Sequence, residues 1–108
     1  MKGDLINGNI LAKTDNGIFE VNVHNLKTPL ISTEADMPFT YDVINKNIYW
    51  IDYARRSIRV QSVRTQSSKP VVENVSNPKL LVYCDLSQKL VYLDGVRLEQ
   101  VDPDGSNK

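Results

Sequence analysis

The stretch Asp42-Val43-Ile44-Asn45-Lys46-Asn47-Ile48-Tyr49-Trp50-Ile51-Asp52 returns in weaker form as Asp85-Leu86-Ser87-Gln88-Lys89-Leu90-Val91-Tyr92-Leu93-Asp94. Asp42 and Asp85 head the two copies; Asp52 and Asp94 close them. Ile18, Ile58 and Leu98 open three similar strands at a matching interval. A repeat of about 40–45 residues made of short strands has the spacing of propeller blades. Such a repeat constrains the fold more than any single residue does. A unit of this size cannot cover its own apolar faces and must stack on neighbours.

Helical periodicity is missing throughout. Apolar residues come in short runs broken by Gly, Pro, Asn, Asp and Ser, which is the pattern of strands and turns. The runs predict strands at 8–12, 18–23, 29–32, 39–42, 48–52, 57–63, 71–74, 79–84, 90–93 and 97–101. Asn16-Gly17 and Pro103-Asp104-Gly105 read as tight turns. Pro29, Pro70 and Pro78 fall near strand starts or between strands, where a missing N–H does no harm. Blade-like units are predicted over 4–33, 34–75 and 76–108, the first and last incomplete. Residues 1–108 together make one incomplete β-propeller of about two and a half blades of four-stranded antiparallel sheet. Apolar residues at successive positions, as in Leu80-Leu81-Val82, fit strands covered on both faces.

Composition excludes several classes. The 13 Lys+Arg balance 13 Asp+Glu, so no global charge draws the chain to nucleic acid or a membrane surface. No apolar run reaches the ~18–20 residues of a spanning helix. The first residues lack the apolar core of a secretion signal, which by itself points to the cytoplasm. Cys84 is the single cysteine, so no internal disulfide forms, and it reads as a small buried hydrophobe late in a strand.

The pattern Asp42-x-x-x-Lys46-Asn47-Ile48-Tyr49-Trp50-Ile51-Asp52, then Ser57-Ile58, resembles the YWTD repeat, also called the low-density-lipoprotein-receptor class B repeat. Val91-Tyr92-Leu93-Asp94 is a degenerate copy with a shortened following loop, and Asp104-Gly105-Ser106 looks like the family's hairpin after the third strand. Ile51 stands where the family usually has Thr, and Val60 where it often has Arg. The resemblance implies a six-bladed propeller in the extracellular region of a cell-surface or matrix protein. Such proteins include lipoprotein and vitellogenin receptors, nidogen-type proteins, Wnt co-receptors and Sevenless/Ros-type receptor kinases. It implies no cofactor and a protein ligand, adjacent extracellular modules and the remaining blades as partners. A membrane would be reached through other parts of such a protein.

Within that reading Asp42, Tyr49, Trp50, Asp52, Asp85, Tyr92 and Asp94 are fold residues. Tyr49 and Trp50 alternate along one strand, so each faces a different neighbour, and each buries ~150–250 Å². Asp52, at a strand end, is placed to accept backbone N–H bonds and tie one blade to the next.

Other residues bear on function. Arg55, Arg56, Arg59, Arg64 and Lys69 form a stretch without acids, while Asp85, Asp94, Glu99, Asp102 and Asp104 dominate the next unit. Two solvated hairpin faces account for this; a basic rim for an acidic surface or sulfated glycan is the sharper alternative, with Tyr53, Arg55 and Arg56 as its anchors. Asn74-Val75-Ser76 is an N-glycosylation acceptor by pattern. Asp102-Pro103-Asp104-Gly105-Ser106-Asn107 has alternating oxygens but not the glycine position of a calcium loop, and reads as a turn. His24, the lone histidine, reads as a loop residue. Glu34, Asp36, Glu73 and Asn74 are the candidates for an acidic mouth of a calcium-dependent, lactonase-like propeller hydrolase. No nucleophile elbow or phosphate-binding glycine loop is present, so the sequence points to a non-catalytic binding segment of an extracellular receptor, with a receptor-kinase ectodomain and the hydrolase as alternatives.

Overall fold

A computed structural model describes residues 9–22, 30–32 and 34–106. The described residues form ten strands: β1 (Asn9–Thr14), β2 (Gly17–Asn22), β3 (Leu30–Ser32), β4 (Phe39–Asp42), β5 (Asn47–Asp52), β6 (Ser57–Ser62), β7 (Ser68–Glu73), β8 (Pro78–Cys84), β9 (Lys89–Asp94) and β10 (Arg97–Val101). They pair as three antiparallel meanders: β1-β2-β3, β4-β5-β6-β7 and β8-β9-β10. Strand 7 starts at Ser68, earlier than the apolar run suggests, because Ser68 and Lys69 pair with Gln61 and Val60. Pro70 therefore sits inside β7, opposite Arg59, and not between strands. It is tolerated because β7 is an edge strand and the register shifts beside it, at Ile58/Arg59. His24 and Pro29 lie outside the described residues.

The hairpins share one turn chemistry. At the ends of β4, β5 and β6, Asp42, Asp52 and Ser62 each accept a backbone N–H three residues on: from Asn45 at 3.2 Å, Arg55 at 3.1 Å and Thr65 at 3.3 Å. Each turn closes on a left-handed residue: Lys46, Arg56 and Gln66 at φ 60, 52 and 63. These are side-chain-capped turns, in which a short polar group replaces a backbone acceptor. The β8–β9 turn follows suit, with Gln88 at φ 57. There Cys84 holds the capping position, and its sulfur accepts hydrogen bonds from the Ser87 hydroxyl and backbone, which pull the thiol pKa down. Cys84 is accordingly half-buried at a strand end and not a core residue. Asp85 is not the counterpart of Asp42: register pairs Asp42 with Asn47 and Cys84 with Lys89, leaving Asp85 one step into the turn and exposed.

The loops after the second strands differ. Asp52 is joined to Ser57 by four residues, whereas Asp94 is joined to Arg97 by Gly95-Val96, with Gly95 at φ 66. The first sheet likewise turns tightly at Asp15-Asn16, and Gly17, at φ 133, opens β2. A Cβ on Gly17 would stand 2.3 Å from the Ser32 carbonyl oxygen, so β2 approaches β3 there as only glycine allows.

Two cores hold the three sheets face to face. Ile18, Ile31 and Ala35 meet Ile48 and Trp50 between the first and second sheets. Tyr49, Ile51, Ile58 and Val60 meet Leu81, Tyr83, Leu90 and Tyr92 between the second and third. Tyr49 and Trp50 thus face opposite neighbours, as strand alternation dictates. The rings of Tyr49 and Tyr83 stack with centroids 5.7 Å apart and planes 5° off parallel. The second and third sheets come together along their first strands, where the Thr40 hydroxyl accepts the Tyr83 N–H at 3.0 Å.

Candidate functional site

Six of the seven motif residues pack or hydrogen-bond within the fold, and Asp85 stands exposed in its turn. Tyr49, Trp50 and Tyr92 are buried, and Asp42 is 2% exposed with both carboxylate oxygens accepting from Asn45. Asp52 does not tie one sheet to the next; it caps its own turn and pairs with Arg55 at 2.8 Å. Its counterpart Asp94 does make the link, accepting the N–H groups of Ser76 at 3.3 Å and Asn77 at 2.7 Å, on the segment entering the third sheet. The difference follows from loop length. A four-residue loop offers Asp52 a local N–H at the capping distance, whereas the tight turn after Asp94 does not.

What remains exposed is the β5–β6 loop. Tyr53 is 56% exposed, and Arg55 and Arg56 both face solvent. Beside them lies a groove of about 280 Å³ lined by Glu34, Asp36, Met37, Trp50, Tyr53 and Arg55, among others. Met37, at 60% exposure, and Tyr53 give it an apolar lip. Sequence reading missed Met37, Glu34 and Asp36 as neighbours of Tyr53. The signal was available in the hairpin itself. Phe39 pairs with Trp50, so residues preceding Phe39 lie beside residues following Trp50.

The five cations of the linear run do not share a patch. Arg55 and Arg56 lie at one end of β6 and Arg64 at the other, with ~20 Å of strand between. Arg59 is half-buried on β6, and Lys69 lies on β7. The groove beside Tyr53 also carries carboxylates, so it presents both charge signs. Lys13 approaches Asp36 at 3.8 Å, and Ser68 donates to Glu34 at 2.9 Å.

The acids considered for a hydrolase mouth are not gathered. Glu73 ends the outer edge strand β7 and Asn74 follows it, at the opposite edge of the sheet from β4, where the second and third sheets converge. Glu34 and Asp36 belong to the link between the first and second sheets. Among the described residues no three of His, Cys, Asp and Glu group as metal ligands. In the Asp102–Ser106 turn the oxygens have protein partners: Lys89 pairs with Asp102, and Ser106 donates to Asp104 from its N–H at 2.9 Å and its hydroxyl at 2.7 Å. Those bonds from Ser106 favour the ionised form of Asp104 and lower its pKa.

One face of the third sheet is uncovered. Leu80, Val82 and Leu98 are 47%, 45% and 68% exposed, and register sets them beside Leu93 and Val91. Counted from the hairpins, Leu98, Val91 and Leu93 match Ile58, Tyr49 and Ile51, which the third sheet buries.

No protein-family profile matches the chain. Among solved structures 23 chains match. One, from the crystal structure of a nidogen/laminin complex, superposes with a TM-score of 0.72 at 18% identity, covering 96% of this chain and 43% of that one. The chain thus spans less than half the length of this neighbour. The likeness establishes the fold: an all-β, partial β-propeller.

Proposed function

We propose that the chain is a non-catalytic, protein-binding segment of a six-bladed YWTD-type propeller in an extracellular protein. Blade-like units at 4–33, 34–75 and 76–108 form part of the ring wall, and further blades complete it. The observation that carries this reading is the division of labour at β5. The groups capable of chemistry in the repeat, Tyr49, Trp50 and Asp52, pack between sheets or cap a turn, while the adjoining loop offers Tyr53, Arg55 and Arg56 to solvent. An exposed tyrosine beside arginines has the composition of an interface anchor. The nidogen/laminin neighbour is itself in a complex with a protein, which supports a protein as the ligand class.

The ligand surface that fits is mixed. A cation on the ligand meets Glu34 and Asp36, an acid meets Arg55 in the groove and Arg56 on the same exposed loop, and an apolar side chain meets Met37 and Tyr53. The test is ligand binding by the full-length protein before and after Tyr53→Ala and after Arg55→Ala with Arg56→Ala. The reading predicts at least a tenfold loss for one of the two and a shallower salt dependence for the arginine pair. Unchanged affinity and salt dependence in both would remove this loop from the interface. Calcium-dependent ester hydrolysis by the full-length protein would replace the binding reading with an enzymatic one.

A further inference from the structure

We infer that Asn74 is an N-linked glycosylation site, rooted beside the exposed β5–β6 loop. This rests on the extracellular reading above. The sequon Asn74-Val75-Ser76 lies in the link between β7 and β8. Its middle residue is held fast: Val75 is 1% exposed, lies in the core between the second and third sheets, and donates its N–H to the Arg56 carbonyl at 3.0 Å. Its outer residues face water. Asn74 and Ser76 are both exposed, and neither side chain hydrogen-bonds to a described residue.

Asn74 also has a left-handed backbone, φ 61. That conformation explains an asparagine here without any glycan, since Asn tolerates the region better than most residues. The sequon adds the hydroxyl residue two positions on, Ser76, which is exposed as Asn74 is. In the transfer, Asn74 Nδ2 attacks C1 of the reducing-end N-acetylglucosamine of a lipid-pyrophosphate-linked oligosaccharide. A C–N bond forms, the C–O bond to the pyrophosphate breaks, the lipid pyrophosphate leaves, and the amide gives up one proton. The bond from Val75 to Arg56 fixes the position of the sugar: it flanks the loop that carries Tyr53 and Arg55, on the Arg56 side.

The experiment is secretion of the full-length protein from eukaryotic cells, with peptide mass mapping before and after amidase release of N-glycans. The expected result is an oligosaccharide on Asn74 in the parent and in Ser76→Thr, and its loss in Ser76→Ala and Asn74→Gly. Both loss variants preserve the left-handed turn, one by keeping Asn74 and the other through glycine. Secreted protein with unmodified Asn74 overturns the assignment while leaving the binding reading intact. Protein retained in the cytosol overturns both. Loss of ligand binding with Asn74 glycosylated overturns only the binding reading.

Discussion

At the scale of single residues, the fold rests on close approaches and capped turns. Gly105 shows this most sharply. Its φ is 92, and a Cβ there would stand 2.6 Å from the Val71 carbonyl oxygen on β7. The turn after β10 therefore rests directly on the outer strand of the second sheet. Gly105→Ala adds both backbone strain and a backbone clash, and is expected to lower the unfolding free energy by about 1–3 kcal/mol in denaturant titrations. Two phenols report on the cores. Burial, with the negative charges of Glu20 and Asp42, pushes the Tyr41 pKa from 10.0 to about 12. Burial likewise, with the negative charge of Asp42, pushes Tyr49 to about 12. Below pH 10 both are neutral whether folded or not, and contribute no pH dependence. Above it the unfolded chain ionises first, so stability falls between pH 10 and about 12. Absorbance titration of tyrosinate, followed together with circular dichroism, is expected to show this ionisation coinciding with loss of the fold. Titration of all tyrosines near 10 in a still-folded chain would contradict the packing described.

At the scale of elements, equivalent positions have different consequences on different sheets. Ile58 and Leu98 each follow the first residue of the third strand of their sheets. Ile58 is fully buried against the third sheet, and Leu98 is 68% exposed. Ile58→Ala is expected to cost about 2–5 kcal/mol, and Leu98→Ala to fall within about 0.5 kcal/mol. Equal costs would mean that the third sheet is not the end of the described stack. This contrast also separates what the sequence makes legible from what it hides. Phe39–Asp42 and Arg97–Val101 were readable to the residue, because turn residues bound them: Pro38 and Asn45 around the first, Gly95 and Pro103 around the second. Ser68 and Lys69 were not, because a solvated edge strand needs no apolar side chains and is held by its partner's backbone. The opposed faces of Tyr49 and Trp50 follow from alternation alone. The capping role of Cys84 was hidden, because the repeat puts its aspartate one position later and only strand register exposes the shift. The groove beside Tyr53 was hidden for a related reason: its walls come from residues brought together by hairpin pairing and not by linear spacing.

At the scale of the molecule, the described chain is a stack of three sheets in which the second is sandwiched and the third shows an apolar face to water. Leu80, Val82 and Leu98 on that face, beside the free edge of β10, make the chain prone to self-association when it stands alone. Protection against amide hydrogen exchange should therefore be graded across the stack. In dilute solution of the 108-residue chain, β5 and β6 are predicted to exchange slowest, through global unfolding, and β10 much faster, through local opening at its uncovered edge. Protection of β10 equal to that of β6 would contradict the account, since it would mean that the third sheet is sealed within this length and needs no further blade.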